Sequence, residues 1–117
     1  FLLMCEELWE DVAWHGCTDM IARGKATADG TTLIAHTNDL LPKTESMLVM
    51  LKVQAGSEPE FIGISVGGIA VSAGYNAARI SLTGNQLDSN DVRPGVPRLL
   101  VVRAMLGSTT VREAMTH

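Results

Sequence analysis

The sequence predicts an α+β domain in which helices pack over antiparallel sheets. Three observations predict this class. An amphipathic run from Leu2 to Trp14 has helical spacing and ends at Gly16. Short runs of β-branched and apolar residues, separated by Gly, Asn, Asp and Pro, fill the middle of the chain. Helical composition returns after Pro97, so the predicted order is helix, strands, helices.

The predicted strands begin with a hairpin. Residues Thr18 to Ala22 and Thr32 to Thr37 have strand composition, and the Asp29-Gly30 pair between them suits the positive φ of a tight turn. Further strands are predicted over residues 47–53, 60–66, 69–75 and 79–83. Short turns join neighbouring runs, which favours antiparallel pairing.

The C-terminal part of the sequence predicts two helices. Residues Arg98 to Leu106 have helical composition, and Gly107 ends the run. Thr110, followed three residues later by Glu113, is a capping-box pattern. A second helix is therefore predicted to begin near Thr110.

Composition excludes several function classes. The formal net charge is −4 and the basic residues are scattered, so no nucleic-acid partner is expected. The apolar runs are far shorter than the roughly 20 residues of a bilayer span, so no membrane partner is expected. The two cysteines, Cys5 and Cys17, do not form the spaced framework of a secreted domain, which favours a reducing, cytoplasmic compartment.

The ends of the sequence suggest a fragment. The chain begins at Phe1 without an initiator Met, and residues Ala114 to His117 have the composition of a helix interior. The remainder of its own chain is therefore an expected partner of this piece.

Gly16-Cys17-Thr18 is the candidate catalytic segment, because it lies where the predicted helix gives way to the first strand. If the Gly16–Cys17 bond breaks, Cys17 becomes an N-terminal residue that carries a thiol nucleophile and, on its own α-amine, a base. Gly16 has no Cβ to obstruct attack on its carbonyl. The alternative is that Cys17, like Cys5, is a small packing residue.

Two polar residues at strand ends are candidate partners of this thiol. Antiparallel pairing in the first hairpin brings Asp39 back toward Cys17, where a carboxylate can hold an ammonium or a substrate group. Asn85 follows the last predicted strand, and its amide is a suitable donor to a developing oxyanion. The alternative is that both residues serve only as turn formers.

No cofactor is expected from the sequence. His15, His36 and His117 show no metal-ligand spacing with the cysteines. Gly67-Gly68 lies outside any phosphate-loop or dinucleotide-binding pattern.

Taken together, several of these segments resemble the acyl-coenzyme A:6-aminopenicillanic acid acyltransferase (isopenicillin N acyltransferase) family, whose members are cysteine-type N-terminal nucleophile (Ntn) hydrolases. The matching order runs from Gly16 to about Ala114. The segments that carry it are Gly16-Cys17-Thr18, Ala26-Thr27-Ala28-Asp29-Gly30, Asn38-Asp39, Gly74-Tyr75-Asn76, Gly84-Asn85 and Arg93-Pro94-Gly95-Val96-Pro97.

The resemblance implies an αββα sandwich whose precursor cleaves itself between Gly16 and Cys17. Residues 1–16 would then be the end of a pro-segment, and residues 17–117 the N-terminal part of the catalytic domain. Asp39 matches the family's acidic residue after the second strand, and Asn85 matches the oxyanion Asn. His36 and Thr37 depart from related amidases, which carry an Arg and a second Asn at these positions.

The expected function is that of a self-processing Ntn cysteine amidohydrolase or acyltransferase acting on a small-molecule amide or acyl thioester. Water as acceptor gives hydrolysis, and an amine acceptor gives acyl transfer, with acyl-CoA as a conceivable co-substrate. One alternative is a non-catalytic relative or interaction module in which Cys17 is structural. A further alternative is a papain-like thiol hydrolase that uses His36 as its base.

Overall fold

Antiparallel strands dominate the described part of the chain. The computed structural model describes residues 16–40, 42–67, 71–85, 90 and 94–117. Within these ranges one sheet has the strand order β1-β2 and the other has the order β3-β4-β5-β6. The strands are β1 (Cys17–Gly24), β2 (Gly30–Asn38), β3 (Leu48–Val53), β4 (Phe61–Val66), β5 (Val71–Asn76) and β6 (Ser81–Leu82).

The helices of the described residues follow the sheets or connect them. A 3-10 helix over Pro42–Met47 joins the two sheets, and helices α1 (Arg98–Leu106) and α2 (Val111–Ala114) follow β6. None of these helices is long and apolar enough to cross a membrane. The amphipathic helix predicted over residues 2–14 lies outside the described residues.

The hairpin of β1 and β2 forms where the sequence predicts it, but its connection is not the tight turn expected at Asp29-Gly30. β1 ends at Gly24 and β2 begins at Gly30, so residues 25–29 form a longer loop between them. Gly24 and Gly30 adopt positive φ values of 58° and 76°, and the Asp29 carboxylate accepts a hydrogen bond from the Thr31 amide at 3.0 Å. Hydrogen bonds from the Thr31 hydroxyl and, to a smaller extent, the Thr31 amide lower the pKa of Asp29 below its ordinary value. The register is regular from Cys17 opposite Asn38 to Ala22 opposite Leu33.

The core lies between the four-stranded sheet and α1. Phe61, Val71 and Leu106 are buried together, and Val102 packs against them. Gly63 and Gly74 face each other across β4 and β5, and a Cβ at Gly74 would lie only 2.9 Å from the Leu106 Cδ1 atom. The absence of a Cβ at Gly74 therefore leaves the space in which Leu106 packs against the sheet.

Asn76 connects this sheet to the end of α1. Its side chain is fully buried, and Nδ2 donates to the Leu106 carbonyl at 3.0 Å and to the Ser108 carbonyl at 2.8 Å. Its Oδ1 accepts from the Ile80 amide at 2.9 Å. One amide group thus satisfies three backbone groups that burial would otherwise leave without partners.

A second contact ties α1 to the loop before β4. Arg103 donates from Nη2 to Glu58 Oε2 at 2.7 Å, and its guanidinium lies 5.0 Å from the centre of the Phe61 ring. The pair is partly exposed, so the ion pair itself contributes about 1 kcal/mol or less. Its main effect is to fix the rotation of α1 on the sheet.

The opposite face of the four-stranded sheet is exposed and mostly apolar, with Lys52 beside Ile62 as its charged residue. Because side chains alternate along a strand, the residues that point away from α1 form a continuous patch. Within the described residues this patch comprises Leu48, Met50, Ile62, Ile64 and Tyr75, each at least 43% exposed. The sheet therefore has one face covered by a helix and one apolar face open.

The α+β class and the antiparallel pairing are confirmed for the described residues, and so are α1 and the capping box at Thr110. The strand predicted over residues 79–83 is shorter than expected and spans Ser81–Leu82. Arg79 has a φ of 66° and belongs to a turn, and the Ile80 amide bonds to the Asn76 side chain instead of a neighbouring strand.

The buried amide of Asn76 generates the first prediction. Asn76→Ala should lower the free energy of unfolding by about 3 kcal/mol, because it leaves buried backbone groups without partners. Gln54 is the matched control: it is an exposed amide that bonds to the carbonyls of Gly56 and Glu58. Gln54→Ala should change stability by about 0.5 kcal/mol or less in urea unfolding. Equal losses in the two variants would contradict this account.

The cap of α2 generates a pH prediction. Glu113 accepts from the Thr109 amide at 2.8 Å and from its hydroxyl at 2.9 Å, and these bonds lower the pKa of Glu113 below its ordinary value of 4.5. A lowered folded-state pKa stabilises the fold above the unfolded pKa, and this stabilisation disappears as the pH falls through the folded pKa. Glu113→Gln should therefore lower the melting temperature near neutral pH.

At about pH 3 the same comparison should give a smaller difference between Glu113→Gln and the unaltered protein, because the carboxyl group is then increasingly protonated. The measurement is thermal unfolding at both pH values. A difference in melting temperature that grows on acidification would contradict the cap.

Candidate functional site

The open end of the β1–β2 hairpin brings together the two segments that the sequence singles out. Cys17 lies opposite Asn38, and the Asp39 amide donates to the Gly16 carbonyl oxygen at 2.8 Å. This bond continues the ladder one residue beyond the strands. A backbone donor therefore points at the carbonyl of the Gly16–Cys17 peptide bond.

The Asp39 side chain also lies against Gly16. A Cβ at position 16 would be only 2.9 Å from Asp39 Oδ2, closer than ordinary van der Waals contact. Glycine is thus the residue that lets the carboxylate approach the backbone here. The carboxylate and the peptide bond before Cys17 are close neighbours.

A cleft with a volume of about 230 Å³ opens beside Cys17. The three residues proposed from the sequence as catalytic, Cys17, Asp39 and Asn85, all line it. They come from different parts of the fold: the start of β1, the end of β2 and the loop after β6. The other lining residues are His36, Asn38, Leu40, Ser72, Leu82, Thr83, Gly84, Arg98, Val102 and Met105.

The Cys17 thiol is half-buried and is not in a disulfide. Its Sγ–H donates to Asn38 Oδ1 at 3.5 Å across the hairpin. An amide oxygen is a neutral acceptor, so this contact orients the sulfur without supplying a base. The thiol is held at the rim of the cleft beside the peptide bond that precedes it.

Asn85 is exposed and lines the cleft from the loop that follows β6. Gly84 and Thr83 of the same loop also line the cleft. An amide at this edge can donate to an oxygen bound in the cleft, which is the chemistry that an oxyanion requires.

Sequence reasoning missed the pairing of His36 with Asp19. His36 Nδ1 lies 2.8 Å from Asp19 Oδ1, and the two side chains are 15% and 25% exposed. They face each other on the same side of the hairpin as Cys17 and Asn38. The hairpin register places Asp19 opposite His36, but this pairing can be read from the sequence only if the register of the two strands is known.

Sequence reasoning also missed the wall that α1 contributes. Arg98, Val102 and Met105 recur at helical spacing and present one face of α1 to the cleft. The available signal is Arg98 itself. A cation in the first turn of a helix is unfavourable for the helix dipole, so its presence there indicates a role outside the helix.

The chemistry of the lining suits an acyl group with a polar end. Leu40, Leu82, Val102 and Met105 supply apolar surface, and the Cys17 thiol, the Asp39 carboxylate and the Asn38 and Asn85 amides supply polar groups. Among the described residues, no three His, Cys, Asp or Glu side chains are grouped so that they could share a metal ion.

Access to Cys17 through this cleft gives a third prediction. Met105→Trp adds bulk to the cleft wall and should slow alkylation of Cys17 by a maleimide about tenfold, which corresponds to ~1.4 kcal/mol in the barrier. Met115 is 78% exposed and does not line the cleft, so Met115→Trp is the control and should leave the rate unchanged.

Peptide mass spectrometry measures the labelling of Cys17 separately from that of Cys5. Both variants are compared with the unaltered protein after thermal unfolding has shown that their melting temperatures are equal. Equal labelling rates in the two variants would show that the thiol is reached by another route.

Comparison with known proteins assigns no family. No family model, no curated protein and no solved structure matches the chain. The functional argument therefore rests on the residues that line the cleft.

Proposed function

We propose that this chain belongs to a self-processing cysteine Ntn hydrolase, an amidohydrolase or acyltransferase that uses Cys17 as its nucleophile. The observation that carries the proposal is the convergence of Cys17, Asp39 and Asn85 on one cleft. These residues are far apart in sequence, and each offers a different group: a thiol, a carboxylate and an amide. The resemblance of the sequence to isopenicillin N acyltransferase-like proteins supports the same conclusion.

The first stage of the proposed function is self-cleavage. The Cys17 sulfur attacks the Gly16 carbonyl carbon through a five-membered ring, and negative charge develops on the carbonyl oxygen. The Asp39 amide, 2.8 Å from that oxygen, stabilises the charge. The C–N bond then breaks to leave a thioester and a free α-amine, and water hydrolyses the thioester to restore the thiol.

The second stage uses the new N-terminus. A free α-amine has an ordinary pKa of about 7.7–8.0, so part of it is neutral near pH 7 and can accept the thiol proton. The sulfur attacks an amide or thioester carbonyl, Asn85 donates to the oxyanion, and Asp39 orients the amine or the substrate. Water or an amine then takes the acyl group.

The size of the cleft favours a small acyl group. A volume of about 230 Å³ is below the roughly 300–1,000 Å³ of pockets for drug-sized ligands. Leu82, Val102 and Met105 form an apolar surface against which an alkyl or aryl chain can pack. Acyl-CoA as co-substrate would place only its acyl end here, with the nucleotide outside.

An αββα sandwich is the architecture that we propose for the whole domain. The four-stranded sheet carries α1 on one face and the exposed apolar patch of Leu48, Met50, Ile62, Ile64 and Tyr75 on the other. An exposed apolar face of this size favours burial against another layer. A second sheet on that face would complete the sandwich.

A thiol hydrolase that uses His36 as its base throughout is a second candidate function. The observation in its favour is that His36, hydrogen-bonded to Asp19, lines the same cleft as Cys17. The two candidates differ in their need for a free α-amine at Cys17. Acylation of that amine should abolish activity in the Ntn mechanism and leave it intact in the alternative.

Self-cleavage is the fourth prediction. The intact mass of the full chain should change over time to the masses of residues 1–16 and of the chain that begins at Cys17. Cys17→Ala should abolish the change, because no thioester can form, whereas the control Cys5→Ala should cleave normally. Hydroxylamine should intercept the thioester and leave a hydroxamate on Gly16, which mass spectrometry distinguishes from the free acid.

An uncleaved wild-type chain with an unreactive Cys17 would overturn the proposal and favour a non-catalytic relative with a structural cysteine. Cleavage that survives Cys17→Ala would assign the break to another protease.

A further inference from the structure

The proposed self-cleavage lacks a base in the intact chain. Before the Gly16–Cys17 bond breaks, the nitrogen of Cys17 is an amide nitrogen and cannot accept the thiol proton. The base that serves the mature enzyme therefore does not yet exist when the thiol must first be activated. Another group near the sulfur has to supply that function.

We infer that His36, oriented by Asp19, is the base of the self-cleavage step. This inference rests on the proposed function, because it concerns the activation of the same thiol. His36 and Cys17 occupy adjacent positions on one face of the hairpin: Cys17 is paired with Asn38, and His36 is two residues before Asn38. Both residues line the cleft.

The spacing allows the two groups to meet. Diagonal neighbours on one face of an antiparallel pair lie roughly 7–8 Å apart across the two strands, within reach of a ring side chain. A general base acts by direct contact or through one water molecule. To meet His36, the Cys17 thiol would turn away from Asn38, with which it is hydrogen-bonded.

The contact with Asp19 determines which imidazole nitrogen is available. A carboxylate can only accept, so at the 2.8 Å contact the proton belongs to His36 Nδ1. In a neutral imidazole the other nitrogen, Nε2, then carries the lone pair. Asp19 is thus a positioning residue that keeps the basic nitrogen of His36 away from the carboxylate.

An imidazole is also the better base among the side chains at this end of the cleft. A neutral imidazole accepts a proton on its free nitrogen, and histidine is the side chain that most often serves as a general base, including for cysteine nucleophiles. Arg98 is permanently protonated and cannot accept a proton. His36 is therefore the group whose chemistry suits proton removal from Cys17.

The proton can be followed through the whole step. His36 Nε2 takes the thiol proton, and the sulfur forms a bond to the Gly16 carbonyl carbon. The resulting oxyanion accepts a hydrogen bond from the Asp39 amide. The imidazolium then returns the proton to the Cys17 nitrogen as the C–N bond breaks. Water adds to the thioester, which restores the thiol and leaves a carboxyl group on Gly16.

The test is the rate of self-cleavage of the full chain, and it provides the fifth prediction. The chain is made in a short pulse of cell-free synthesis, and its intact mass is followed during the chase. His36→Ala should cleave at least about 100-fold more slowly, the lower range for loss of a general base. His117 is exposed and outside the cleft, so His117→Ala is the control and should cleave at the wild-type rate.

Two further measurements separate a chemical role from a structural one. Added imidazole should restore cleavage of His36→Ala in proportion to its concentration, and it should have no effect on Cys17→Ala. Asp19→Asn should slow cleavage about tenfold, a barrier increase of ~1.4 kcal/mol, because an amide can donate to Nδ1 and favour the wrong tautomer.

Each result decides the inference. Slow cleavage of His36→Ala with imidazole rescue supports it, while wild-type cleavage rates in His36→Ala overturn it and leave the proposed function standing. Slow cleavage that imidazole cannot restore assigns His36 a structural role and also overturns it. A wild-type chain that never cleaves removes the proposed function itself.

Discussion

The buried amide of Asn76 is the constraint on which the cleft depends. Its three hydrogen bonds hold the end of α1 against the turn between β5 and β6. The position of α1 determines where Arg98, Val102 and Met105 lie, and the turn determines where the chain leaves β6 toward Asn85. Leu106, seated on the bare backbone of Gly74, adds apolar burial to the same junction. Two walls of the cleft, from α1 and from the loop after β6, therefore depend on Asn76. The hairpin of β1 and β2 forms the third wall.

The hairpin organises chemistry through its register. In an antiparallel pair, residues directly opposite each other point to the same face, so four polar side chains gather on one side: Cys17, Asp19, His36 and Asn38. A slip of one residue in β1 would turn Cys17 and Asp19 to the face opposite His36 and Asn38. The loop over residues 25–29 and the regular pairing from Cys17 to Ala22 are thus as important for the site as the side chains themselves.

Much of the fold could be predicted from the sequence because its signals are local. The Asp29-Gly30 pair, Gly107 after α1 and the Thr110 cap each act over a few residues, and the sequence predicts the strands and helices beside them closely. The loop between β1 and β2, over residues 25–29, is longer than the tight turn expected. The proximity of Asp39 to Cys17 also followed from the hairpin. The short β6 could not be predicted, because it results from a side chain that competes with strand pairing at Ile80. The contribution of α1 to the cleft depends on how the helix packs on the sheet, and the spacing of residues along the helix does not specify that orientation. The catalytic roles remain predictions.

The close approach of Asp39 to Gly16 has a consequence for the direction of self-cleavage. In the intact chain the carboxylate lies beside an uncharged peptide group. Cleavage would create a second carboxylate on Gly16, next to the first, and an ammonium on Cys17. Like charges at this distance repel and opposite charges attract. The same aspartate would therefore expel the severed segment and retain the new N-terminus, so that electrostatics would oppose religation of the two chains.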